Sequence, residues 1–366
     1  MTQWLRQKSD VFSRTLGRFF PVSNLTFKKR RPAVGLDIGN RTIKVAALDG
    51  DPARKSYQLK GYNITALPDL AASLPESTIG EAVRKAVSEV CPQEKRVRAS
   101  ISGNAVVVRY IRMPQMELEE LRSALRYEAG QHIPFDVKEV ELDCAILRPP
   151  TNGDGKMDVM LVAAQKTACG RLLNILKAAG LSAACIDADP LATINAFTLP
   201  AGRSQEKPIA LLNIGAKQST VSILHQGIPT FTRCIEIGGE GLSLAIARGL
   251  GVELAEAERL KVFGDPLVEP HLGMVLNSIA RQVRTSFDYF EGLANRAVAE
   301  LYISGGSSML TGLHKFLSQA LGVPTPEWTP LEGIDTTDFP SDEQLRSVAP
   351  ALDVAVGLAA RSVEGS

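Results

Sequence analysis

Cysteine is scarce in this chain, and the five present, Cys91, Cys144, Cys169, Cys185 and Cys234, form no CxxC pair. Neither a structural zinc site nor a disulfide framework is expected, and the scatter suits reduced thiols in a cytoplasmic protein. The four histidines give no HExxH spacing, which removes that metalloprotease motif. No apolar run approaches the roughly 20 residues that a membrane-spanning helix needs. The body is therefore expected to be soluble. What is present is bulk: 366 residues, 45% of them hydrophobic, suffice for two or three domains or one large bilobed unit.

The overall charge of +1 conceals an asymmetry. Residues 1–32 carry eight basic side chains against one acid, Asp10, a local charge of +7 that leaves −6 for the rest. That acidic body excludes binding of nucleic acid or another polyanion, whereas the arm has the charge for an anionic surface. Within the arm, Leu5, Phe12, Leu16 and Phe19 share one helical face opposite Arg14 and Arg18. Three readings stay open: an amphipathic segment (residues 1–20) on an anionic membrane, an organelle transit peptide and a disordered solubilising tail.

The stretch AVGLDIGNRTIKVAALDG, residues 33–50, reads as two strands, Ala33 to Leu36 and Ile43 to Leu48, joined by a turn that holds Asp37 and Gly39. A second copy, IALLNIGAKQSTVSILHQG, spans residues 209–227 and sets Asn213-Ile214-Gly215 against Asp37-Ile38-Gly39, and Gly227 against Gly50. One repeat at a distance of 176 residues means two related half-domains rather than a solenoid. A glycine directly after a strand lets backbone N–H groups approach phosphate oxygens. An acid beside it acts on phosphate through Mg²⁺ and its waters. The alternative for a single copy is a hairpin whose Asp satisfies the turn backbone; the repeat favours the phosphate reading. A third stretch, ELYISGGSSMLTGLHKFLSQAL (300–321), reads as a strand, a Ser304-Gly305-Gly306 turn and an amphipathic helix with Leu313, Phe316, Leu317 and Leu321 on one face.

Together these three motifs resemble the phosphate-1, phosphate-2 and adenosine motifs of the actin, Hsp70 and sugar-kinase superfamily. Within it the chain resembles the PilM family, FtsA-like proteins of the type IV pilus inner-membrane platform. The resemblance runs over about residues 33–361 through VGLDIGNRTIKV, ASISGNAVVVRYIRMPQM, EAGQHIPFDVKEVELDCAIL, AAGLSAACIDADPLA, LLNIGAKQSTVSIL, GIPTFTRCIEIGGEGLSLAIARGLGVELAEAERLK, LYISGGSSMLTGL and AVGLAAR.

The resemblance implies an α/β fold: a bilobed actin-like ATPase of duplicated RNase H-like units with an FtsA-type inserted 1C subdomain. Lobe 1 would take residues 33–107, 185–206 and 341–366, the insert 108–184 and lobe 2 207–340, with 1–32 as a separate arm. The segments DADPLATINAF and APALDVAVGLAAR would be interdomain helices, with Ala192, Ala355 and Gly357 small enough for close approach. ATP and Mg²⁺ are the implied cofactors. Asp37, Gly39, Asn40 and Thr42 would line one side of the phosphates and Asn213, Gly215 and Ala216 the other, with Asp37 meeting Mg²⁺ through water. Glu258 and Lys261 would approach the adenosine from one side, and Gly305, Gly306 and Ser308 from the other. A solvated Glu258–Lys261 ion pair is the alternative for that helical i, i+3 spacing. One departure stands out: Asn213 occupies a position where the family usually has Asp. An amide keeps the shape and loses the charge, so ATP binding with weak or absent turnover is expected and no catalytic residue is assigned.

In the middle segment, MPQMELEELRSALRYEAGQHIPF reads as a helix with Leu118, Leu121, Leu125 and Tyr127, stopped at Ile133-Pro134. In the family this region helps receive the cytoplasmic tail of PilN, a membrane-anchored partner, by coupled folding and binding. Pilus motor ATPases and self-association are further contacts that the resemblance allows. The implied role is a cytoplasmic scaffold peripherally attached to the inner membrane. Competing readings are an FtsA-like division filament, a sugar or carboxylate kinase and the cytoplasmic part of a type II secretion platform protein. The kinase is disfavoured by Asn213 and the insert, and the secretion reading by the lack of a membrane span.

Overall fold

Alternating apolar side chains around Asp37 build the first hairpin: β1 (Ala33–Ile38) pairs antiparallel with β2 (Thr42–Asp51), setting Asp37 directly opposite Lys44. The structure, a computed structural model, describes residues 32–51, 56–68, 74–149, 155–200, 206–339 and 343–361. Residues 1–31, on which the readings of the basic arm fall, lie outside the described residues. β3 (Ser56–Ala66) extends the hairpin antiparallel, and after α1 (Glu76–Val90) the chain returns as β4 (Arg96–Ile101), parallel to β1. That crossover needs a helix, and Ile79, Val83, Ala86 and Val87 of α1 give it a buried face.

The chain then leaves this sheet to form a smaller one. β5 (Val106–Pro114), β6 (Val140–Arg148) and β7 (Lys156–Gln165) pair antiparallel in the order β5-β7-β6. α2 (Leu118–Glu128) buries Leu121 and Leu125 in the core that Met157, Val159 and Leu161 of β7 also line. The helix ends five residues before the expected Ile133 and gives way to a 3-10 turn over Ala129–Gln131. Gly130 and the approach to Pro134 explain the early stop. Tyr127 lies 88% exposed, about 200° around the helix from Leu125 and so off the buried face.

α3 (Lys166–Ala178) leads back through β8 (Ser182–Ala188), which joins the first sheet parallel to β4, and α4 (Asp189–Phe197) follows. The second large sheet repeats the opening of the first. β9 (Ile209–Ile214), β10 (Ser219–His225) and β11 (Ile228–Ile235) run antiparallel in succession. After α5 (Gly239–Leu250), α6 (Leu254–Phe263) and α7 (Glu269–Ala294), β12 (Glu300–Ser304) lies parallel to β9 as β4 does to β1. α8 (Leu313–Leu321) buries Leu313, Leu317 and Leu321 beneath it. β13 (Ile334–Asp335) completes a first sheet of order β13-β3-β2-β1-β4-β8, and α9 (Glu343–Val348) and α10 (Asp353–Ala360) close the described chain. The repeat differs at its closing glycine: Gly227 sits in a tight turn with Gln226 (φ 73° and 54°), whereas Gly50 lies inside β2 opposite Tyr57. β2 and β3 have extra length beyond their counterparts, so that glycine becomes a strand residue.

The two expected crossing helices do cross. A Cβ on Gly357 of α10 would stand 1.8 Å from the Ala192 carbonyl oxygen of α4, and one on Gly35 of β1 would stand 1.9 Å from that of Ala355. Only glycine permits backbones this close. α10 is thereby pressed against β1 on one side and α4 on the other.

Candidate functional site

In both hairpins the glycine after the strand closes the same turn. Gly39 N–H donates to the Thr42 carbonyl at 3.0 Å, and Gly215 N–H donates to that of Gln218 at 3.0 Å. Around Gly215 a second layer assembles at the start of α5. Gly239 N–H donates to the Gly215 carbonyl (2.9 Å) and Glu240 N–H to that of Ala216 (2.7 Å), while a Cβ on Gly238 would stand 2.6 Å from both carbonyls. Gly238 and Gly239, in the IGGEG stretch, are site residues that the sequence reading did not assign; a Gly-Gly pair between strand and helix was the available signal.

The same glycine joins the wall formed by α6. Lys261 Nζ donates to the Gly239 carbonyl (3.1 Å), to Ser243 Oγ (2.8 Å) and to Glu258 Oε2 (2.8 Å), and Ser243 Oγ also donates to Glu258. Glu258 and Lys261 are thus not a solvated surface pair, for Lys261 is only 9% exposed. Burial pulls the Lys261 ammonium below its ordinary pKa despite Glu258; at Glu258 burial works upward, but Lys261 and Ser243 outweigh it and hold the carboxyl low. Across from them, Gly305 (φ 88°) brings β12 onto β9, where a Cβ would meet the Ile214 carbonyl at 2.6 Å. Gly306 has open space where a Cβ would be. Ser308 is buried with its hydroxyl donating to the Gly305 carbonyl (2.7 Å), and it is Ser307 whose Oγ faces Gly239 and donates to the Gly215 carbonyl (3.5 Å).

The first hairpin presents a different surface. Lys44 Nζ donates to Asp37 Oδ2 at 2.7 Å across the strand pair, with both side chains largely buried. Burial works to lower the Lys44 pKa, but Asp37, then Asp353 and Asp189, hold it above its ordinary value. Burial, then Asp37, pushes the Asp189 carboxyl up to about 7. Asn40 and Thr42 lie half-buried in the turn itself. Next to them Arg41 reaches the start of α5, its Nη2 lying 3.4 Å from Glu240 Oε1. The Arg41–Glu240 pair thus sets the turn of the first hairpin against the start of α5, and the space that the two hairpin turns border with α5 and α6 is the candidate cleft.

Asn213 is held by Asp353. Its Nδ2 donates to Asp353 Oδ2 at 2.7 Å, and the same oxygen accepts from Thr193 Oγ1 and Ser304 Oγ, each at 2.8 Å. Burial pushes the Asp353 carboxyl above its usual range, against the pull of these donors. Among the described residues no three His, Cys, Asp or Glu side chains are grouped to ligate a metal directly. Asp37, bonded to Lys44, with Asp189 and Asp353 acting on the same ammonium, offers carboxyl groups that would hold a hydrated divalent cation through water. Lys44, Arg41 and Lys261 supply the positive charge that anionic phosphates require. Outside this cleft, a crevice of about 370 Å³ separates the three-stranded sheet from β11, with Val108, Phe135, Pro190 and Arg233 in its lining.

A family model described as type IV pilus assembly protein PilM matches residues 35–363. The cell division protein FtsA of Bacillus subtilis (strain 168) is 35% identical over 103 residues, covering 28% of this chain and 22% of FtsA. The ethanolamine utilization protein EutJ of Salmonella typhimurium is 26% identical over 151 residues, 40% of this chain and 48% of EutJ. The chain thus matches less than half the length of these two curated relatives. A solved structure described as a PilM-PilN type IV pilus biogenesis complex matches with a TM-score of 0.81 and 29% identity, covering 91% of this chain and 98% of that one. EutJ from Carboxydothermus hydrogenoformans matches with a TM-score of 0.54 and 16% identity over 98% and 99%, a likeness of fold alone. The fold is the actin-like ATPase fold, as the resemblance implied.

Proposed function

The chain belongs to the type IV pilus assembly protein PilM family, and from that membership we propose that it is an ATP-binding scaffold of a pilus inner-membrane platform. In this reading it docks the cytoplasmic tail of a PilN-like membrane protein and works at the cytoplasmic face of the membrane. The observation that carries the reading is the match to the PilM-PilN structure, which covers 98% of that chain. In this reading lobe 1 is the six-stranded first sheet with α1, α4 and α10, lobe 2 the second sheet with α5–α8, and the partner-binding insert the three-stranded sheet with α2, whose Leu121 and Leu125 pack on Met157 and Leu161 away from the nucleotide loops. Pilus motor ATPases, the membrane through residues 1–20 and a second copy of the chain are further contacts. Among the described residues no helix is long and apolar enough to cross a membrane.

In the cleft, the turns at Gly39 and Gly215 direct backbone N–H groups toward phosphate oxygens, with Asn40, Thr42 and Ala216 beside them. Lys44 and Arg41 neutralise the phosphates, while Glu258, Lys261, Gly305, Gly306 and Ser308 frame the adenosine. Asp37 would hold magnesium through water, and the ion would supply screening of the phosphate charge. Asn213 adds no second carboxylate, so turnover is weak or absent.

Titration calorimetry of the full chain with a synthetic PilN-like tail, with and without ATP–Mg²⁺, tests the scaffold. Saturable 1:1 binding of the tail is expected, and no heat in either condition would overturn the reading. The identity with FtsA favours a filament as the second reading. Pelleting of the chain with ATP, absent without it, would select that one.

A further inference from the structure

We infer that Asp353 is a positioning residue for the cleft, and that Asn213 stands in the second phosphate hairpin because Asp353 requires a donor there. The inference rests on the reading of the cleft as a nucleotide site. It begins from one oxygen atom: Asp353 Oδ2 accepts from Thr193 in the middle of α4, from Asn213 in β9 and from Ser304 at the end of β12. Asp353 itself opens α10, the helix that packs on β1 and crosses α4, and it is 1% exposed. One buried carboxylate therefore joins lobe 1 to the two lobe 2 strands that lead directly into Gly215 and into Gly305-Gly306. The adjoining backbone repeats the tie, with Gly305 N–H donating to the Pro350 carbonyl at 2.8 Å.

The donor set constrains residue 213. A serine or threonine hydroxyl either donates or accepts, an amide offers N–H, and a carboxylate only accepts. Aspartate at 213 would set a second acceptor at the 2.7 Å now bridged by the Asn213 amide, against a carboxylate that is itself buried. Two like charges there cannot both remain ionised. The departure from the family's usual Asp is thus tied to Asp353, and the second loop gives up a carboxylate near the phosphates in exchange for a bond across the lobes. A role in packing alone would make no such demand on hydrogen-bonding sense.

The test is a reciprocal swap in the full chain: wild type, Asn213→Asp, Asp353→Asn and the double variant, each measured for thermal midpoint and for ATP–Mg²⁺ affinity at a temperature where all are folded. Asn213→Asp is expected to lower the midpoint and to bind ATP about tenfold more weakly, the change that loss of one charge-assisted hydrogen bond represents. Asp353→Asn alone is expected to be mild, because Asn213 can still donate to the new amide's oxygen. The double variant restores a donor facing an acceptor and is expected to regain most of both losses. If Asn213→Asp does not fold, a folded double variant is the same rescue. A double variant no better than Asn213→Asp overturns the pairing. Rescue of the midpoint with equal ATP affinity in every folded variant overturns the positioning role. Absence of ATP binding in wild type sinks the nucleotide reading, and the positioning role with it, while the midpoints still decide the pairing.

Discussion

The two hairpins at the heart of the cleft share a sequence pattern, a strand register and a glycine-closed turn, yet they settle the polar residue before that turn in opposite ways. Asp37 finds its partner within its own hairpin, seven residues on, in Lys44 at 2.7 Å. Asn213 has Thr220 at the equivalent register position and reaches instead across to Asp353, 140 residues away. The first hairpin holds its polar residue by a bond within itself, and the second is tied through Asp353 to α10. Duplicated backbone geometry does not imply duplicated chemistry, because one substitution at each copy changes what the loop is tied to.

The comparison breaks most severely where the internal partner of Asp37 is removed. Lys44→Met leaves the buried Asp37 without its partner, beside Asp353 and Asp189, and should cost about 3–5 kcal/mol in denaturant unfolding. A loss below about 1 kcal/mol would mean that Asp37 does not depend on its own hairpin. Asn213→Asp comes next, at about 3 kcal/mol near neutral pH. Its sign with pH is distinctive: burial and the Asp353 charge raise the folded pKa of the new carboxyl above its unfolded value, so stability is lost as pH rises and recovers as it falls toward 5. Urea titrations at pH 5 and 7.5 would reveal this, and an equal loss at both would contradict it. The shared turn predicts a matched pair: Gly39→Ala and Gly215→Ala place a Cβ 3.0 and 2.9 Å from the Thr42 and Gln218 carbonyl oxygens. Each should cost about 1–2 kcal/mol, with the two values alike. The smallest effect belongs to Arg41→Ala, which loses a partly exposed pair with Glu240 worth under about 1 kcal/mol and should matter less in high salt.

Much of this arrangement was legible in the sequence because it is local. Alternation and a following glycine define both hairpins, the Ser304-Gly305-Gly306 turn announces the change from strand to helix, and Gly357 and Ala192 mark where two helices touch. The Asp37–Lys44 pair also left a trace, since two residues facing each other across a hairpin turn can be counted from the turn inward. Asp353 left none: its donors lie 49, 140 and 160 residues away, and an acid before an apolar helix reads only as a favourable first turn. The roles of Ser307 and Ser308 were equally hidden, because which hydroxyl faces the cleft depends on a 3-10 turn over Gly306–Met309 rather than on residue type. The end of α2 was misjudged for a similar reason: Gly130 acts before Pro134 does.

The claim on which the rest depends is that the cleft between the two hairpins holds ATP, and titration calorimetry of the full chain with ATP–Mg²⁺, repeated on Asp37→Ala and paired with a phosphate-release assay, tests it most directly. Saturable binding in wild type, lost in the variant, with little or no phosphate released, is the predicted result. Equal binding by both proteins, or none by either, would contradict it.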